Sequence, residues 1–231
     1  MLDEYKNSDI WKDNPEDINL RSDILVTKRV VELLGNVFGK KILDVGCGNG
    51  KVSRMLAQSG GIVFGTDKVE DQVVIAKNIS PELGIKYFTE DIISLDKLNL
   101  PNDFDIAISL MTFLYLDKDQ FVEAVKQIRM RLKKGGRFIY GDIDPARFQS
   151  ESENVETLEV ELPTVNGKIF KTIFYKHPYS FVVESFTEAG FKIREEIKPK
   201  ETEDELKQYS VLFPKDTDGK SQYLIIDMEA L

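Results

Sequence analysis

The sequence predicts a doubly wound α/β fold on a largely parallel sheet, and three observations predict it. Short apolar runs alternate with stretches of helical periodicity over residues 41–143, a rhythm that requires right-handed crossovers. Three glycines, Gly46, Gly48 and Gly50, follow one such run directly and precede a helical stretch, where an open α/β sheet has its ligand crevice. The 231 residues, 42% hydrophobic and 31% charged, can bury a full core and suit one domain.

The elements follow in order. SDILVTKRVVELL (22–34) opens on Ser22 as an N-cap, repeats apolar residues at helical spacing and stops at Gly35-Asn36. KILDV is a short apolar strand, and residues 51–58 resume helical periodicity with Val52, Met55 and Leu56. GIVFGTD is a strand, VEDQVVIAKNI a helix, IKYFTED and FDIAISL strands, KDQFVEAVKQIRMRL a helix and GRFIYGDI a strand. The rhythm changes after Asp144. LEVELPTVNGKIFKTIFY reads as a β-hairpin around Asn166-Gly167, the dipeptide that suits a two-residue turn. A helix over 179–189 ends at Gly190, and FKIREEI and SQYLIIDM supply further strands. Between those strands the charge run ETEDELK reads as a solvated helix or loop.

Composition excludes several function classes. A net charge of −9 disfavours a phosphate-backbone partner, which needs clustered Lys and Arg. The single cysteine, Cys47, cannot form an intramolecular disulfide and has no His or Cys cluster beside it at zinc-ligand spacing, so a reducing compartment is expected. No stretch has the apolar length of a signal peptide or membrane span, so a cytoplasmic protein is expected.

Glycines at a strand end allow positive φ and a close approach of ligand to backbone, and the helix starting near Asn49 aims N–H groups at the same space. The spacing here is G-x-G-x-G. It departs from the dinucleotide fingerprint G-x-G-x-x-G and lacks the G-K-[ST] of a phosphate-gripping loop.

Asp44-Val45-Gly46-Cys47-Gly48-Asn49-Gly50 resembles the first motif of the class I S-adenosylmethionine-dependent methyltransferases, an acid followed by x-G-x-G-x-G. Further matches come in the family's order. Asp67, closing GIVFGTD, resembles the acid that accepts the ribose hydroxyls. Asp91 in YFTEDI matches the acid that takes the adenine amino group, with the Ile92 N–H facing a ring nitrogen and Glu90 as rival. The end of DIAISLMTFLYL, Ser109, Leu110 and Met111, resembles the stretch beside the methionine moiety, and LKKGGRFIYGD resembles the approach to the fifth strand. Lys68 departs from the family, in which an apolar residue often faces the adenine; its stem would stack there instead.

The resemblance implies a Rossmann-like seven-stranded sheet with the last strand antiparallel, the hairpin capping it after the fifth strand, and S-adenosylmethionine as cofactor. It implies a cofactor core over residues 40–143, an N-terminal lid and helix over 1–38, a hairpin acceptor cap over 144–180 and C-terminal elements over 181–231. Within the lid, Trp11 and Arg21 are expected at the cofactor, Arg21 as a partner for its carboxylate, and Tyr5 at the acceptor.

The core motif falls silent on the acceptor, because methyl transfer from a sulfonium needs alignment and a dry site more than catalytic groups. His177, the only histidine, stands in FYKHPYSF beside the hairpin and is the candidate general base; a loop or capping role is the alternative. Phe113, Tyr115, Phe174 and Tyr175 are expected to line an acceptor pocket by stacking or cation–π contact, as is Phe170 unless the hairpin aromatics are core. Asp142 and Asp144 resemble half of a divalent-ion site, but a third acid directly after the fourth strand is missing, so no metal is expected. The expected activity is methyl transfer to oxygen or nitrogen of a small molecule, by a monomer or homodimer without nucleic-acid or membrane partners. A regulatory module that binds the cofactor without turnover, or an NAD-dependent oxidoreductase, is the alternative.

Overall fold

A computed structural model describes residues 22–148, 157–163, 169–200, 202–208 and 221–231. The described strands are β1 (Lys41–Val45), β2 (Ile62–Asp67), β3 (Lys86–Thr89), β4 (Phe104–Leu110), β5 (Leu132–Ile143), β6 (Thr157–Pro163), β7 (Ile169–Tyr175), β8 (Phe191–Ile197) and β9 (Tyr223–Ala230). Helices are α1 (Lys28–Leu34), α2 (Lys51–Gln58), α3 (Glu70–Asn78), α4 (Lys118–Arg131), α5 (Tyr179–Glu188) and α6 (Glu203–Gln208). Seven strands form one sheet in the order β3-β2-β1-β4-β5-β9-β8, and β6 and β7 pair separately. The first five strands run parallel, and β9 is antiparallel to both β5 and β8. This is the Rossmann-like sheet with an antiparallel last strand that the motif order implied.

The strands read as near-continuous apolar runs because both sheet faces are covered. In β1, Ile42 packs with Leu34 of α1 and Leu56 of α2, while Leu43 and Val45 point to the opposite face, among Phe121, Ala124 and Ile128 of α4 and Val182 and Phe186 of α5. Phe121, Ala124, Val125 and Ile128 form the i, i+3, i+4, i+7 stripe that puts α4 against the sheet. Its start is fixed by a capping box: Asp117 accepts the Gln120 N–H at 2.9 Å while the Gln120 side chain accepts the Asp117 N–H at 3.1 Å.

Three local expectations change. Ser22 is not an N-cap: its φ of −60° and ψ of −36° are helical and its side chain caps nothing, because a wider-wound turn, Asp23–Thr27, runs ahead of α1. β5 starts at Leu132, before the expected GRFIYGDI, with Leu132 paired to Phe104. The charge run is not wholly solvated, since Glu205 of α6 is buried and takes Lys28 at 3.2 Å and Arg29 at 3.5 Å. A buried acid needs such partners, and here they dock α6 on α1.

The hairpin pairs Thr157 with Tyr175 through Pro163 with Ile169, one residue off the register that a two-residue Asn166-Gly167 turn would set. Its turn at Asn166-Gly167 lies outside the described residues, as do Tyr5, Trp11 and Arg21.

Candidate functional site

The carboxyl ends of β1, β2, β3 and β4 bring their following loops to one edge of the sheet. Gly46, Gly48 and Gly50 all have positive φ, +73°, +53° and +78°, but for different reasons. A Cβ on Gly46 would run into Thr112 after β4, and one on Gly50 would run into Tyr87 of β3. A Cβ on Gly48 would meet nothing nearer than Gln72 Oε1 at 3.9 Å. Gly46 and Gly50 are bare so that the loop can seat against its own protein, whereas Gly48 is bare toward open space.

The loop is held from β2. Gly46 and Cys47 donate to the Thr66 carbonyl at 2.8 and 2.9 Å, and Gly48 donates to Asp67 Oδ2 at 2.8 Å. Asp67 Oδ1 accepts the Val69 N–H at 2.9 Å. Burial raises the Asp67 carboxyl above its usual range, opposed by these two backbone donors. Each oxygen keeps a further lone pair for a hydroxyl partner. Helix α2 begins at Lys51 rather than Asn49, with Gly50 left-handed at its N-cap. Asn49 turns its side chain back to accept the Lys51 N–H at 3.2 Å, and its carbonyl takes Arg54 at 2.6 Å.

Asp44 lies beneath the crevice. It is 3% exposed on the α2 face of β1, where Ser53 donates to its Oδ2 at 2.5 Å. Burial pushes its carboxyl up to about 7, with the Ser53 bond opposing. Cys47 packs with Val73, Ala76 and Tyr87, and burial pushes its thiol well up, away from a reactive thiolate. Lys68 is half-buried beside Asp67, its charge acting to lower that carboxyl. Asp91 caps the next turn by accepting the Ile93 N–H at 3.3 Å, while Glu90 accepts the Asp91 N–H at 3.0 Å. The Ile92 side chain is in the core.

At the end of β4 the buried Ser109 hydroxyl donates to the Val45 carbonyl at 2.9 Å, and Leu110 packs against Gly141. Met111 has φ +55°, uncommon for a side-chain-bearing residue, and its N–H donates to the Gly141 carbonyl at 2.7 Å. Asp142, weighed from sequence only as a metal ligand, fixes the next turn instead. Its carboxylate is 2% exposed and accepts backbone N–H groups from Phe113 and Leu114, and burial raises it to about 7. Asp144 is spent on Lys198 at 2.7 Å, and no group of three metal-binding side chains occurs among the described residues.

The expected aromatic pocket divides. Phe113 is fully buried core, 4.6 Å from Phe121 and 5.5 Å from Tyr140, and faces no ligand space. Tyr115 is half-buried, its ring edge-on to Phe174 at 5.5 Å and its hydroxyl sharing a hydrogen bond with Thr172. Burial raises the Tyr115 phenol, the charges of Asp142 and Asp67 raise it further, and the Thr172 hydrogen bond opposes them. Phe174 and Tyr175 cannot line one pocket, because successive strand residues face opposite ways. Phe174 meets Tyr115, and Tyr175 lines an outer cleft of 280 Å³ with Asp117, Lys118, Asp119, Lys176 and His177. His177 is 8% exposed, with Nε2 at 2.8 Å from the Leu116 carbonyl and its ring stacked on Phe181 at 5.3 Å.

Sequence reasoning missed Thr112, Tyr87, Ser53 and Thr172. Only the alternation of IKYFTED, which puts Tyr87 on one face, gave any signal. The others are ordinary residues until the fold brings them to the loop.

A family model described as "Methyltransferase domain" matches residues 42–136. The ubiquinone biosynthesis O-methyltransferase of Coxiella burnetii is 34% identical over 108 residues, 46% of this chain and 44% of that protein. Phosphoethanolamine N-methyltransferase 1 of Zea mays is 26% identical over 141 residues, 56% of this chain and 28% of that protein. The chain thus spans less than half the length of these curated relatives. An S-adenosylmethionine-dependent methyltransferase from Mesorhizobium loti superposes with TM-score 0.68 at 20% identity, over 87% of this chain and 96% of that one. Magnesium protoporphyrin IX methyltransferase from Synechocystis, solved with bound SAH, superposes with TM-score 0.64 at 18% identity, over 100% of this chain and 94% of that one. These two share the fold.

Proposed function

We propose that this chain, whose residues 42–136 match a methyltransferase domain, is a class I S-adenosylmethionine-dependent methyltransferase that binds S-adenosylmethionine at Gly48 and Asp67 and methylates oxygen or nitrogen of a small molecule. One observation carries the reading: Asp67 Oδ2 holds the Gly48 N–H at 2.8 Å, joining the ribose-binding acid and the glycine loop in one crevice. The residues fit the cofactor on two counts. The Gly48 backbone is open where a ligand must come close, and Asp67 keeps acceptor capacity beyond its two backbone bonds.

Bound there, S-adenosylmethionine would supply a methyl group already activated by its sulfonium, with the thioether as leaving group. The protein's residues do the rest. Gly48 admits the ligand, Asp67 accepts its hydroxyls, and Asp91 with the Ile92 N–H reads the adenine edge. Leu110 and Met111 line the methyl side, the buried Ser109 ties the end of β4 to Val45, and the strained Met111 is held by Gly141 so that the turn keeps one shape. The hairpin closes the acceptor side through Tyr115. His177 is assigned a packing role, which its bond to Leu116 and its burial support, and proton removal is left to solvent at the acceptor.

The reading takes the whole chain as one methyltransferase domain acting in the cytoplasm, as monomer or homodimer, on an acceptor other than nucleic acid. Among the described residues no helix is long and apolar enough to cross a membrane. Calorimetric titration with S-adenosylhomocysteine beside NADH tests it. Micromolar binding of the first alone is expected; binding of neither, or of NADH, overturns it.

A further inference from the structure

The wall of the glycine-loop crevice carries a buried amide. Gln72, in the first turn of α3, is 3% exposed. Its backbone N–H donates to the Val69 carbonyl at 3.1 Å, but its side-chain amide has no hydrogen bond among the described residues. Taking an amide out of water without a partner is unfavourable, so its place in the fold calls for a partner from outside the chain.

Its position says where that partner sits. A Cβ on Gly48 would find the Gln72 amide oxygen as its nearest neighbour, at 3.9 Å, so the amide borders the open space toward which Gly48 is bare. Gln72 is also tied to Asp67 through the backbone. Asp67 Oδ1 accepts the Val69 N–H at 2.9 Å, and the Val69 carbonyl accepts the Gln72 N–H. The other Asp67 oxygen holds the Gly48 N–H at 2.8 Å, so carboxylate and amide converge on one glycine.

The two groups differ in what they offer a hydroxyl. An ionised carboxylate only accepts, and the Gly48 N–H is already spent on it. A hydroxyl that donates to Asp67 keeps lone pairs of its own, and these need a donor. The Gln72 amide supplies one, since a half-turn about its last bond presents the NH2 in place of the oxygen. Lys68, half-buried beside Asp67, is the rival donor.

We propose that Gln72 donates to a ribose hydroxyl of the bound cofactor, so that Asp67 and Gln72 together select a ligand with a vicinal diol. The inference rests on the methyl-transfer reading and adds a specificity residue to its cofactor site.

The test is calorimetric titration of the full chain with S-adenosylhomocysteine and with its 2′-deoxy and 3′-deoxy analogues. Wild type is expected to bind both analogues more weakly than the parent. Gln72→Met keeps the length of the side chain and removes the amide; Gln72→Ala stands in if that variant does not fold. Either should weaken S-adenosylhomocysteine about tenfold, the scale of one hydrogen bond. One analogue, lacking the hydroxyl that Gln72 holds, should bind the variant as tightly as it binds wild type. Gln72→Glu keeps the shape but has no N–H and sets a second carboxylate near Asp67, so it should bind the parent more weakly still. Unchanged S-adenosylhomocysteine affinity in Gln72→Met, an equal loss for the parent and both analogues, or wild-type affinity in Gln72→Glu overturns the proposal while leaving the cofactor at Gly48 and Asp67. Coupling to one hydroxyl in Lys68→Met instead of Gln72→Met does the same. Failure of wild type to bind S-adenosylhomocysteine overturns the underlying reading, and the role of Gln72 falls with it.

Discussion

The Asp142 carboxylate at the end of β5 holds the Leu114 N–H at 2.9 Å, tying the fifth strand to the turn that follows the fourth. Phe113 donates to the same carboxylate, and Tyr115 comes next. An acid with 2% exposure thereby sets where the hairpin can rest.

Asp142→Ala removes the carboxylate that accepts the Phe113, Leu114 and Ile143 N–H groups, and each N–H left buried without an acceptor costs about 1–3 kcal/mol. Urea unfolding should show a loss of roughly 2–5 kcal/mol in total. A loss under about 1 kcal/mol would mean that water replaces the carboxylate and the turn is not held by it.

Alanine at the three loop glycines separates their roles. Every substitution carries left-handed backbone strain of about 1–2 kcal/mol. Gly46→Ala and Gly50→Ala add a collision with Thr112 or Tyr87, so both should lower the melting temperature well beyond Gly48→Ala. Gly48→Val should remain folded and lose S-adenosylhomocysteine binding in calorimetry; normal affinity would move the cofactor away from this loop.

Asp44 should make stability depend on pH with a stated sign. Its carboxyl sits near 3.8 when unfolded and is raised to about 7 when folded, so the folded chain holds a proton that the unfolded chain releases. Stability from that proton is full below pH ~4 and lost as pH rises through ~7, on the order of 4 kcal/mol. Asp44→Asn keeps an acceptor for Ser53 and removes the titration. Its stability relative to wild type should therefore improve between pH 5 and pH 8 in paired unfolding curves. A constant difference would mean that Asp44 stays charged.

His177→Ala should cost about 1–3 kcal/mol by freeing the Leu116 carbonyl and unpacking Phe121 and Phe181. With packing as its role, the pH profile of kcat for the folded variant should match wild type. Loss of a limb near neutrality would restore His177 as the base.

Asp67→Asn should weaken S-adenosylhomocysteine by about 1–3 kcal/mol, the scale of a hydrogen bond to a charged group. Unchanged affinity would place the ribose contact elsewhere.

Much of the fold was legible because its signals are local. KILDV, FDIAISL and FKIREEI are strands at the residues their patterns marked, and the periodicity at 51–58 is α2. Ser22 was misread because an N-cap residue type says nothing about a wider turn running ahead of it. Tyr175 was grouped with Phe174 on aromatic character, although the period of a strand already separates them. Glu205 looked solvated because Lys28 and Arg29, its partners, lie at the other end of the chain.

By itself the sequence determined the order of strands and helices, the glycine loop and the acids that follow successive strands, since periodicity and spacing are properties of short stretches. Only the tertiary structure decided that Gly48 alone of the three glycines opens outward, that Asp142 is a clamp, and that Phe113 is core while Tyr115 meets the hairpin. Each of those outcomes depends on a partner distant in sequence, Thr112, Leu114 or Thr172, and packing places such partners where no local pattern encodes them.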